Sequence, residues 1–181
     1  MKNIIILLIS ITVLLSVNKT TAQENQTELI RKKVVEKLAG DFIFTEGPAV
    51  DAGGNVYFTD IPNHMILIWT ISEELDTFRV NSGRANGLFF DKDENLLVCE
   101  GEKGQITATS PEGEYNPIAT EYNEKRFNQP NDLWCDPKGG VYFTDPKYGG
   151  NDNELFQDGM HVYYISPDYS SVIRVCDDFE K

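Results

Sequence analysis

The chain has 181 residues, 40% of them hydrophobic and 25% charged, with 29 acids against 16 bases for a net charge of −13. That is too apolar for a disordered chain, and 10 Phe, 8 Tyr and 14 Gly are too many strand and turn formers for a helical bundle. The acidic balance excludes nucleic acid as an expected partner and suits hard cations or neutral small molecules.

In chain order, Lys2 is followed by an unbroken weakly polar to apolar run from Ile4 to Val17, then by Thr20-Thr21-Ala22. Residues 1–22 therefore read as a secretory signal peptide cut near Ala22. The run is too short to span a bilayer and no second one follows, so the expectation is a secreted or periplasmic protein with no membrane association after cleavage. Cleavage removes Lys2 and Lys19 and no acid, which deepens the negative charge by two. Glu28–Leu38 reads either as a short helix or, from Val34, as a strand. Cys99, Cys135 and Cys176 are odd in number and form no CxxC pair, which predicts buried free thiols rather than a zinc site; one disulfide stays open in an oxidising compartment.

A repeat follows. Asp51–Asp60 reads Asp-Ala-Gly-Gly-Asn-Val-Tyr-Phe-Thr-Asp and Asp136–Asp145 reads Asp-Pro-Lys-Gly-Gly-Val-Tyr-Phe-Thr-Asp, with Asp91–Glu100 between them in the same frame. Their first residues lie 40 and then 45 positions apart. Each unit is an apolar run, an Asp, a turn and a run of β-branched or aromatic residues, which is a β-hairpin pattern. Gly53-Gly54 and Gly139-Gly140 are expected to supply positive φ at the turns, with Asn95 doing so in the middle unit. Two more short strands follow each hairpin: His64–Trp69 and Thr77–Val80, Gln105–Ser110 and Tyr115–Thr120, His161–Ile165 and Ser171–Val175. Four strands per 40 to 45 residues predict an all-β fold, a β-propeller with blades near 42–80, 85–121 and 130–176; a β-sandwich is the weaker alternative. Trp69 and Trp134 read as blade-to-blade core, and His64 and His161, opening third strands, as strand-edge packing. Lys147–Met160 reads as a long loop over one face of the ring, the kind of loop that shapes a substrate entrance.

Five residues before each turn Asp stand Glu46, Asn86 and Asn131. The first strand of a propeller blade lines the central channel, so these positions fall on one ring. Carboxylate and carboxamide oxygens without His or Cys suit a hard divalent cation. The competing reading is that Asn86 and Asn131 satisfy backbone groups at strand ends.

Thr45-Glu46-Gly47-Pro48, Arg84-Ala85-Asn86-Gly87-Leu88, Gln129-Pro130-Asn131-Asp132-Leu133 and Tyr142-Phe143-Thr144-Asp145-Pro146 together resemble the gluconolactonase/regucalcin (senescence marker protein) family, from about Val34 onward. The resemblance implies a six-bladed β-propeller, about three four-stranded blades of which fall in this chain as its N-terminal half. It implies one divalent metal ion, calcium first with zinc, magnesium or manganese as alternatives, held here by Glu46 and Asn131. Asn86 and Asp132 are then substrate-binding or outer residues. The implied activity is hydrolysis of sugar lactones, an EC 3.1.1 type reaction on a small-molecule lactone, and the general base is expected from the C-terminal half, so that the 181-residue chain alone is inactive. Competing readings are a non-catalytic metal- or partner-binding propeller, and an organophosphate or aryl esterase on the same site. Self-association of the half ring through its uncovered blade faces is a further expectation, with Trp69, Phe78, Phe89 and Phe127 available for those faces.

Overall fold

The structure is a computed structural model and describes residues 35–149 and 155–178. The expected leader and residues 28–34 of Glu28–Leu38 lie outside those residues; 35–38 carry no regular structure. From Asp41 onward every regular element among the described residues is a β-strand.

Three antiparallel four-stranded sheets follow one another, each ordered as in sequence. The first holds β1 (Thr45–Val50), β2 (Val56–Asp60), β3 (Met65–Trp69) and β4 (Leu75–Val80). The second holds β5 (Ala85–Phe90), β6 (Leu96–Glu100), β7 (Gln105–Thr109) and β8 (Tyr115–Ala119). A small hairpin of β9 (Glu121–Tyr122) and β10 (Lys125–Arg126) intervenes before β11 (Leu133–Cys135), β12 (Val141–Asp145), β13 (His161–Ile165) and β14 (Val172–Cys176). These are three successive propeller blades. The β9–β10 hairpin was not expected, because its tip, Asn123-Glu124, has positive φ at both residues (51° and 62°) without the glycine that usually marks such a turn.

Each inner hairpin closes on its aspartate. Asp51 Oδ1 accepts from Asn55 N at 2.8 Å, Asp91 Oδ1 from Asn95 N at 2.8 Å, and Asp136 Oδ1 from Gly140 N at 3.1 Å. Gly54 (φ 88°) and Gly139 (φ 93°) take the left-handed position as expected. In the middle blade Glu94 (φ 60°) takes it and not Asn95, whose side chain instead donates to Asp91 Oδ2 at 2.8 Å.

The core lies between blades. β6 reads Leu-Leu-Val-Cys-Glu because both its faces are covered: Leu96 and Val98 join Ala49, Ile66, Ala85 and Leu88 toward the first blade, while Leu97 and Cys99 join Phe127, Val141, Phe143, Tyr163 and Ile165 toward the third. A strand buried on both sides reads as a continuous apolar run, which is why the middle unit departs from Val-Tyr-Phe-Thr-Asp. Each such aliphatic side chain contributes roughly 1.5–3 kcal/mol on leaving water. Phe127 is fully buried against Phe143 and Tyr163 at ring distances of 4.9 and 5.0 Å, so it is core and not part of an uncovered face. Trp134 is the opposite case: expected between blades, it is 52% exposed and leans on Tyr142. All three cysteines are free; Cys99 is buried and the other two half-buried.

The second strands of the first and third blades end in buried acids, Asp60 and Asp145. Burial raises the Asp145 carboxyl to about 7, against donation from the Asn128 and Gln129 N–H groups and the nearby Arg126 charge. At Asp60 burial also raises, but the Phe44 and Ile43 N–H groups and Asn63 outweigh it and hold the group below its ordinary value. A carboxyl raised on folding stabilises the fold fully below its unfolded value near 4, and that contribution fades as pH rises through 7. Urea unfolding of wild type and Asp145→Asn should therefore show the stability difference growing in favour of wild type from pH 7 to pH 4. A difference independent of pH across that window would show that Asp145 is ionised throughout.

Candidate functional site

Irregularities in the inner strands aim the site residues. In β1 the register with β2 slips between Glu46 and Ala49, and in β5 the register with β6 slips between Ala85 and Leu88. Bulges bend a strand and redirect its side chains. Gly47, in the first slip, has φ 53° and lies so close to the second blade that a Cβ on it would stand 2.2 Å from the Asn86 carbonyl oxygen. Gly87 repeats the approach one blade on, its N–H donating to Asn131 O at 2.7 Å. Thr59 Oγ1 joins the first pair, donating toward Glu46 O at 3.1 Å and Asn86 O at 3.2 Å. Backbone contact between successive inner strands thus brings Glu46, Asn86 and Asn131 together.

All three line a cavity of about 510 Å³ and a second one of about 190 Å³. Asp132 lines only the smaller, where its Oδ1 accepts from its neighbour Leu133 N at 2.9 Å. The side chains of Glu46, Asn86 and Asn131 form no hydrogen bond or ion pair among the described residues, although the Asn86 and Asn131 backbones do. Strand-end bonding by the two carboxamides, the competing reading of the sequence, is therefore absent among the described residues. One carboxylate and two carboxamides with free oxygens match the preference of a hard cation, and the four oxygens they can offer at most are fewer than the six to eight that calcium takes. Among the described residues no cluster of three His, Cys, Asp or Glu side chains forms a metal site by itself.

The larger cavity is also lined by residues that had no site role in the reading of the sequence: Phe44, Ile61, Arg84, Gln129 and Tyr148. Arg84 has φ 53° beside Gly83 at 68°, an unusual left-handed pair. It is exposed, and its guanidinium forms no bond among the described residues. Tyr148 is held by its N–H donating to Gln129 Oε1 at 2.9 Å, so the segment expected as an entrance loop does reach the cavity at its first described residues. Of the histidines, His161 is buried, with Nε2 2.9 Å from Asp158 Oδ1 and its ring edge-on to Tyr163. His64 precedes β3 at φ 54°, with Nδ1 3.5 Å from Glu102. Neither histidine lines the two cavities that Glu46, Asn86 and Asn131 share.

Residues 44–180 match the family described as the SMP-30/Gluconolactonase/LRE-like region. The chain belongs to that family. A gluconolactonase of Zymomonas mobilis is 30% identical over 155 residues, which are 74% of this chain and 43% of that protein. The solved structure of a gluconolactonase from Xanthomonas campestris superposes with a TM-score of 0.72 at 27% identity, over 77% of this chain and 50% of that one. A regucalcin from Agrobacterium tumefaciens, described as a calcium-binding protein, shares the fold with a TM-score of 0.59 at 16% identity, over 78% of this chain and 46% of that one. The chain thus spans about half the length of these two gluconolactonases.

Proposed function

We propose that the chain supplies the N-terminal part of a metal-dependent site for hydrolysis of sugar lactones, in an exported protein. The observation that carries this is the convergence of Glu46, Asn86 and Asn131 from three successive blades on one cavity with their side-chain oxygens unpartnered. Membership of a family that includes gluconolactonases, and a fold shared with a calcium-binding relative, support it. Glu46 and Asn131 would hold a divalent cation, calcium first, and the cation supplies Lewis-acid stabilisation of the charge that develops on the lactone oxygen. Asn86, beside them, can donate its amide N–H to a substrate oxygen, and Arg84, which lines the same cavity, can orient hydroxyl or ring oxygens. Asp132 faces the smaller cavity as the carboxylate left over once Glu46 is engaged.

The test uses the product of the whole reading frame. Cation binding is read by calcium displacement of terbium luminescence, and hydrolysis of glucono-1,5-lactone by proton release, each with and without EGTA. Hydrolysis abolished by EGTA and restored by calcium is the expected result. Chelator-insensitive hydrolysis sinks the metal role. Calcium binding without turnover of the lactone, paraoxon or phenyl acetate supports a non-catalytic propeller, and turnover of the last two alone supports an esterase.

A further inference from the structure

The Phe-Thr-Asp end of β2 and β12 repeats more than its sequence. Asp60 Oδ2 and Oδ1 accept from the backbone N–H groups of Ile43 and Phe44, both at 3.1 Å. Asp145 Oδ2 and Oδ1 accept from the N–H groups of Asn128 and Gln129, at 2.8 and 2.9 Å. In both blades the gripped amides stand three and two residues ahead of the site residue, Glu46 or Asn131. The preceding threonine completes the unit: Glu46 pairs with Thr59, and Asn131 N donates to Thr144 O at 3.0 Å. Both aspartates are sealed, at 1% and 0% exposure, so water does not compete for their oxygens.

The middle blade is a built-in control. Glu100 pairs with Ala85 as Asp60 pairs with Thr45, so it occupies the equivalent place. Its carboxylate, one methylene longer, is taken by Arg79 at 3.0 Å, Gln105 at 2.8 Å, and Thr107 and Tyr115 at 3.1 Å, and it accepts no backbone N–H from the segment before Asn86. That segment turns by its own means, with Gly83 and Arg84 left-handed and Ala85 N donating to Ser82 Oγ at 3.3 Å. The two blades with the grip are the two whose site residues would hold the cation.

We propose that Asp60 and Asp145 are positioning residues, paired carboxylate clamps on the backbone that fix where Glu46 and Asn131 enter the cavity. This rests on the reading of those two residues as cation holders. Outer partners that fix a ligand's placement commonly change metal affinity about 10- to 100-fold when altered.

Asp60→Asn and Asp145→Asn each replace one acceptor by a donor that faces an N–H. Terbium and calcium affinities, measured at about pH 8.5 so that Asp145 is ionised, and at low temperature on protein shown to be folded by circular dichroism, should weaken about 10- to 100-fold in each variant. Glu100→Gln should lower the melting temperature at unchanged affinity. Wild-type affinity in both Asp variants, or an equal loss in Glu100→Gln, overturns the proposal. Native-state hydrogen exchange on the wild type needs no variant: the amides of 43, 44, 128 and 129 should exchange at least about ten-fold more slowly than those of 83 and 84. Equal exchange overturns the clamp even if the variants fail to fold. If wild type binds no cation, the functional reading fails, and the clamp is judged by this exchange and by whether Asp145→Asn shifts the Asn131 carboxamide resonances.

Discussion

Glu46→Gln is expected to weaken calcium binding by more than about a hundred-fold and to remove chelator-sensitive lactone hydrolysis with it. Glu46 is the one charged member of the trio, and its removal is not softened by a neighbour, since its carboxylate has no other partner among the described residues. Ligand charge count is a main determinant of calcium affinity. Glutamine preserves size and one oxygen, so packing is nearly unchanged and the melting temperature of the cation-free protein should move little. The same titration on Asn86→Ala separates the roles in the trio: a loss as large as that of Glu46→Gln makes Asn86 a third cation donor, and unchanged affinity with a raised KM places it on the substrate. Full calcium affinity in Glu46→Gln would remove this cavity from consideration as the metal site.

The three blades were legible because the turn chemistry is local. Asp51, Asp91 and Asp136 each bond an N–H four residues ahead, so a short-range rule recurs at a readable period. The trio was legible for a related reason, since equal offset from the turn Asp fixes a residue's height in its blade. What the sequence could not convey depends on which faces meet. Trp134 sits in a strand pattern that suits burial, yet strand alternation says only that it opposes its neighbours, not that its face is covered. Phe127 lies outside any strand and is buried because the segment leading to β11 packs it against Phe143 and Tyr163. Arg84 and Tyr148 reach the cavity from segments flanking the strands, and only long-range packing places them there. The role of Asp60 and Asp145 was likewise hidden: the Thr-Asp repeat is plain in the sequence, but the amides it grips lie 16 and 17 residues earlier.

Gly47→Ala is expected to be the most damaging single substitution in the inner strands. A Cβ there would lie 2.2 Å from Asn86 O and 2.8 Å from Gly87 Cα, both backbone atoms that cannot swing aside. Alanine at φ 53° adds a left-handed penalty of roughly 1–2 kcal/mol. Overpacking adds roughly 1–3 kcal/mol or more where backbone must shift. Together these come to roughly 2–5 kcal/mol, at most the lower end of the roughly 5–15 kcal/mol by which a typical domain is stable. Gly113→Ala isolates the first effect, because Gly113 has φ 89° and nothing within 4 Å of its would-be Cβ. Gly87→Ala isolates the second: its Cβ would stand 2.7 Å from Asn131 O and Asp132 Cα at a φ outside the left-handed region. Urea midpoints should therefore fall modestly for Gly113→Ala, further for Gly87→Ala and furthest for Gly47→Ala. The two inner-strand variants should also lose cation affinity in whatever fraction stays folded, since Gly47→Ala pushes Glu46 away from Asn86, and Gly87→Ala pushes Asn131 away from Asn86. If Gly47→Ala costs no more than Gly113→Ala, the first two inner strands do not make the backbone contact on which the geometry of the cavity depends.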